Sequence, residues 1–78
     1  MREKKKYMVL TFRTTTDAMS MEKKCLSSRI PGRLIPVPRE ITAGCGLAWR
    51  MKPEEYDLYK AQIESLELRF DEAVEVLI

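Results

Sequence analysis

The chain has 78 residues, 45% of them apolar and 33% charged, with 14 basic against 12 acidic residues and no histidine. That length holds one small domain, whose thin core buries roughly 60% of the surface its unfolded chain exposes, and the composition excludes wholesale disorder. A net charge of +2 is too mild to point to nucleic acid, apolar runs such as Met8-Val9-Leu10 are too short to span a membrane, and the missing histidine removes the base from Ser-His-Asp and Cys-His catalysis.

The basic start, Met1 to Lys6, reads as a solvated, frayed terminus, with a single domain running from Tyr7 to Ile78. No signal-peptide apolar region or cleavage site follows it, so a cytoplasmic protein is expected. Tyr7-Met8-Val9-Leu10-Thr11-Phe12 is aromatic and β-branched and predicts a strand. Thr14, Thr15, Thr16 and Asp17 offer N-caps for a helix from about Ala18 to Arg29. Pro31-Gly32 ends that helix. Arg33-Leu34-Ile35 is a short strand closed by Pro36-Val37-Pro38, and two prolines so close together place it at a sheet edge. Arg39 to Gly46 reads as a loop, with a single helical turn after Pro38. Leu47 to Met51 alternates as a strand, with Leu47, Trp49 and Met51 on one side.

Pro53 fits the first turn of a second helix, and Glu54 and Glu55 sit where the helix dipole favours negative charge. Tyr56, Tyr59, Ile63 and Leu66 form its apolar stripe. Ala73 to Ile78 is a last strand. The order β-α-β-β-α-β predicts an α+β, ferredoxin-like fold: an antiparallel sheet in the order 4-1-3-2 with both helices on one face. The predicted core is Leu10, Phe12, Ala18, Leu26, Leu47, Trp49, Tyr56, Ile63 and Val76. The other sheet face would carry Tyr7, Val9, Thr11, Ala48, Arg50 and Glu75. That mixture predicts a homodimer of modest strength, with Arg50 and Glu75 paired across it.

Cys25 and Cys45 are twenty residues apart and form neither a CxxC nor a metal-binding spacing. No metal or cofactor is expected, and both thiols should be reduced. Cys25 falls on the packed face of the first helix, as an inert small hydrophobe. Cys45 lies between Gly44 and Gly46. Neighbours without side chains let another backbone or a bulky sulfur substrate approach it. In a 4-1-3-2 sheet the third strand begins at the end where the first finishes, so Cys45 is expected near Arg13, Thr14, Thr15 and Thr16. Arginines and a helix N-terminus both favour thiolate, and Arg39 and Arg50 are close in sequence. Glu22 falls inside the packed helix face. Its side chain either reaches the rim or pairs with a basic residue such as Arg39 or Arg50. A plain turn holding an indifferent cysteine is the bland alternative for Gly44-Cys45-Gly46.

The strand Val9 to Phe12, the threonine-rich turn, Ala18 and Glu22, Arg33-Leu34-Ile35-Pro36-Val37-Pro38-Arg39-Glu40-Ile41 and Gly44-Cys45-Gly46-Leu47-Ala48 together resemble a small bacterial family of selenium/sulfur carrier-like proteins. The resemblance runs from about Tyr7 to Ile78 and is most specific in the Pro-x-Pro-Arg and Cys-Gly stretch. It implies that Cys45 accepts a sulfur or selenium atom from a donor such as a cysteine desulfurase and presents it to an acceptor enzyme. Arg39 would steady the adduct, and the first turn of the first helix would add backbone N–H groups. Such a chain is a carrier more than a true enzyme. Two rivals belong to other classes: an interaction or regulatory domain dimerising through the open face, and an RNA-binding module stacking bases on Tyr7 and Trp49. The RNA-recognition signature of the second is absent.

Overall fold

The computed structural model describes residues 4–39, 41 and 45–78. The elements are β1 (Lys6–Thr11), α1 (Thr15–Ser28), β2 (Arg33–Pro36), β3 (Leu47–Met51), α2 (Pro53–Ser65) and β4 (Ala73–Leu77). Among the described residues, no helix is long and apolar enough to cross a membrane. The strands form one open antiparallel sheet in the order β2-β3-β1-β4, which is the expected 4-1-3-2 arrangement read from the other edge. β1 begins at Lys6, and the Lys5 carbonyl accepts from the Ile78 N–H at 2.9 Å, so paired backbone reaches into the basic segment.

Local chemistry sets the element ends. α1 starts three residues earlier than the apolar pattern indicates, because Thr14 is the cap: its hydroxyl accepts from the Asp17 N–H at 3.1 Å. The helix stops at Arg29, in the left-handed region with φ 57°. There the Ile30 N–H reaches the Cys25 carbonyl at 2.9 Å, a Schellman closure that buries Ile30. Pro53 opens α2, and the Glu55 carboxylate accepts from the Lys52 N–H at 2.9 Å.

One face of the sheet carries the main core. Leu10, Phe12, Trp49 and Met51 pack against Ala18, Met21 and Cys25 of α1 and Ile63 of α2, with Ile30 closing one end. Leu47 and Tyr56 are half-buried against this cluster. Two expected core residues are elsewhere. Leu26 is 72% exposed, because it lies on the flank of α1 rather than in line with Met21 and Cys25. Val76 is buried on the opposite face of the sheet, since it pairs with Tyr7.

The same register corrects Glu75. It pairs with Met8 and so lies on the helix side, with its carboxylate 3.8 Å from the Lys6 ammonium. Arg50 lies on the other face, where its guanidinium stacks on the Tyr7 ring at 4.5 Å. The two therefore cannot pair across a dimer formed by the open face. That face is also less bare than expected. Val9 and Ala48 are fully buried, roofed by Tyr7, Ile35, Val37, Ile41, Val74 and Ile78.

Candidate functional site: the β2–β3 loop and Cys45

The loop between β2 and β3 is anchored at both ends. One step beyond the last ladder pair, Pro36 with Leu47, the Val37 N–H donates to the Gly46 carbonyl at 3.0 Å. The Ile41 N–H donates to the Pro38 carbonyl at 3.0 Å, an i to i+3 turn and not a helical one where a helical turn is expected. Val37 and Ile41 pack on the sheet face away from the helices, whereas Cys45 packs against the helix-side core. The described residues of the loop thus pack on both faces of the sheet. Gly46 has φ +81°, and a Cβ added there would meet nothing within 4 Å, so the backbone conformation and not crowding selects glycine. Gly44 lies outside the described residues.

Both cysteines are free thiols in unlike settings. Cys45 is half-buried, and its Sγ–H donates to the Leu47 carbonyl at 3.5 Å. Cys25 has no exposed surface, and burial pushes its thiol up from 9.0 to about 11. A buried neutral thiol neither meets nor becomes a nucleophile near neutral pH. Cys45 should therefore be alkylated by iodoacetamide well before Cys25 in the folded chain, as peptide mass after a timed reaction will show. Equal rates would contradict this difference.

The raised value at Cys25 also has a thermodynamic sign. The folded state holds the proton more tightly than the unfolded state. The resulting stability is fully present below pH 9.0 and is lost as pH rises towards 11. The full loss is about 2–3 kcal/mol at 1.36 kcal/mol per pH unit. Denaturant titrations across that range should show it in the natural chain and not in Cys25→Ala.

The expected neighbours of Cys45 divide. Thr11 pairs with Ala48, so the end of β1, the start of α1 and the Cys45 loop share one end of the sheet. Arg13 is at this end but serves the far side: its guanidinium lies 3.5 Å from Asp71, ahead of β4, with β1 between it and the β2–β3 loop. The Thr14 hydroxyl is occupied as the α1 cap, and Thr15 and Thr16 are exposed in the first turn. Asp17 N–H is taken by Thr14 Oγ1 and Ala18 N–H by the Thr14 carbonyl. Helix geometry leaves the N–H groups of Thr15 and Thr16 without intrahelical partners. Arg39 is exposed at the start of the loop. Arg50, near Cys45 in sequence, is committed to Tyr7 on the other face. Glu22 is half-buried on α1; the ion pairs among the described residues, Lys6 with Glu75 and Arg13 with Asp71, do not include it.

A family model described as "Putative Se/S carrier protein-like" matches residues 6–75. The chain belongs to this family. The match runs from the start of β1 into β4 and includes both helices and the Cys45 loop. Neither the curated proteins nor the solved structures contain a match to the chain.

Sequence reasoning read Gly32 only as a helix stop, and passed over its close approach to Trp49 and the covering role of Val37 and Ile41. The signal for the second was present: two β-branched residues in a proline-rich loop have no reason to be apolar unless they pack.

Proposed function

We propose that the protein carries a sulfur or selenium atom on Cys45. The observation that supports this most is the contrast between the thiols: in a member of a carrier-like family, Cys45 alone reaches the surface, from a loop pinned at its base. The Cys45 thiolate attacks the outer chalcogen of a donor persulfide or selenosulfide. The donor's S–S or S–Se bond breaks, the donor leaves as its own thiolate, and Cys45 becomes Cys–S–SH or Cys–S–SeH. Loss of a proton to water gives the anionic adduct. An acceptor nucleophile reverses the step and regenerates the Cys45 thiolate. No net oxidant is needed, because the transferred atom arrives already at the sulfane level.

A carrier needs a thiol that reaches the surface more than a deep pocket. Arg39, exposed at the start of the loop, is the cation assigned to steady the adduct, since Arg50 is taken by Tyr7, and the N–H groups of Thr15 and Thr16 lie at the same end of the sheet. Glu22 takes no part in the transfer in this reading; it contributes to the rim of α1. The partners are two proteins: a donor such as a cysteine desulfurase, and an acceptor enzyme.

The test is intact mass. Reduced protein incubated with a cysteine desulfurase and cysteine should gain one sulfur atom and lose it to dithiothreitol. A selenium-generating donor should give the selenium counterpart. A mass unchanged under both conditions would reject the proposal.

A further inference from the structure

At the opposite end of the sheet, roughly 15 Å from Cys45 by the strand rise, the register places Arg33 directly across from Arg50. Like charges in directly opposed cross-strand positions destabilise a sheet. Among the described residues, neither guanidinium has a carboxylate within ion-pairing distance; the ion pairs are Lys6 with Glu75 and Arg13 with Asp71. The two arginines line a cleft of about 200 Å³ together with Tyr7, Lys52 and Glu55. Glu55 is the one carboxylate there, and one of its oxygens already accepts from the Lys52 N–H. The lining therefore holds three cations against one anion. Two larger clefts differ: Lys6 faces Glu75 in one and Arg13 faces Asp71 in the other.

We propose that Arg33, Arg50 and Lys52 form a binding site for a phosphate-type oxyanion. A doubly charged oxyanion would turn the repulsion between the guanidiniums into attraction, and the planar donor fork of arginine matches its oxygens two at a time. Arg50 is already oriented by the Tyr7 ring at 4.5 Å, so less side-chain freedom is lost on binding. The cations are gathered in a cleft and not strung along a stripe. Arg50 also covers one face of Tyr7, which removes that face as a stacking platform for a base. Both features favour a single phosphoryl group over a nucleic-acid strand. The site is independent of the chemistry at Cys45.

The test is a titration of the full, isotope-labelled chain with inorganic phosphate. Ionic strength is held constant with chloride, and the arginine Nε–H signals are read by NMR. Saturable shifts of the Arg33 and Arg50 signals are expected. Arg33→Gln and Arg50→Gln should each weaken binding at least tenfold, and Lys5→Gln should leave it unchanged. Arg33→Gln removes a like-charge contact, so its folded spectrum should persist and the comparison stays valid. A parallel titration with glycerol phosphate separates sources. Tenfold tighter binding of the ester identifies a phosphorylated molecule as the ligand, and equal binding identifies free phosphate. Shifts that do not saturate, or that saturate equally in both glutamine variants, overturn the proposal. So does tight, salt-sensitive binding of a single-stranded oligonucleotide without saturable phosphate binding.

Discussion

Gly32→Ala is expected to cost about 2–6 kcal/mol, a large share of the stability of a chain this small. Gly32 has φ +134°, a backbone conformation that side-chain-bearing residues rarely adopt. An added Cβ would lie 2.5 Å from Trp49 Nε1, 2.6 Å from Trp49 Cε2 and 2.7 Å from the Arg50 carbonyl oxygen. Trp49 is the largest fully buried side chain, and the Arg50 carbonyl belongs to the β3 backbone, so neither can yield cheaply. Backbone strain of about 1–3 kcal/mol adds to overpacking of about 1–3 kcal/mol. A chain of this size has roughly 4–12 kcal/mol of stability in all. Gly46→Ala is the matched control: with open space around it, only the positive φ opposes the change, and a loss of about 1 kcal/mol is expected. Denaturant midpoints followed by Trp49 fluorescence will separate the two. Similar midpoints for both variants would show that the contact with Trp49 does not matter.

The close approach of Gly32 to the indole has a second consequence. Trp49 Nε1 is buried and has no hydrogen-bond partner among the described residues. A buried unsatisfied donor costs about 1–3 kcal/mol. The ring is held there by packing alone, which makes the absence of a side chain at Gly32 more critical.

The second large effect concerns the thiols, and the two serine variants should behave reciprocally. Cys45→Ser should abolish sulfur or selenium loading, because a hydroxyl cannot carry the sulfane atom. It should leave the denaturation midpoint nearly unchanged, since the half-exposed thiol makes one weak bond to the Leu47 carbonyl. Cys25→Ser should keep loading and cost about 1–3 kcal/mol, because it buries a hydroxyl among Leu10, Met21 and their neighbours. Loading that survives in Cys45→Ser would reject the carrier reading.

Much of the fold is legible in the residues because the strong local signals agree. Leu47 to Met51 alternates without interruption, and β3 has those bounds. Pro36 at the end of β2 and Pro38 just beyond it mark an edge strand, and β2 is one. Tyr7, Val9, Thr11, Ala48 and Arg50 share the face away from the helices as their alternation indicates. The misassigned positions are those where a short pattern is two-sided. β4 reads Ala73, Val74, Glu75, Val76, Leu77, with apolar residues on both faces, so only its pairing with β1 settles that Val76 faces Tyr7 and Glu75 faces Met8. Leu26 sits beside the α1 core stripe at an angle that a short helix leaves ambiguous, and it emerges exposed.

The site is legible in a different way. Glycine neighbours and the Pro-x-Pro-Arg stretch mark Cys45 as the candidate without any structure. What surrounds it depends on long-range partners. Arg13 is near the loop in topology, yet Asp71, far along the chain, holds it on the β4 side. The pairing of Arg33 with Arg50 is equally non-local: it follows from the β2–β3 register.

The most direct measurement is the location of the transferred atom. Chain loaded by a cysteine desulfurase and cysteine is trapped with an alkylating agent, digested and mapped by peptide mass. The added sulfur should lie on the peptide that contains Cys45, with Cys25 recovered as an unmodified thiol. Sulfur found on Cys25, or on neither cysteine, would contradict the role assigned to Cys45.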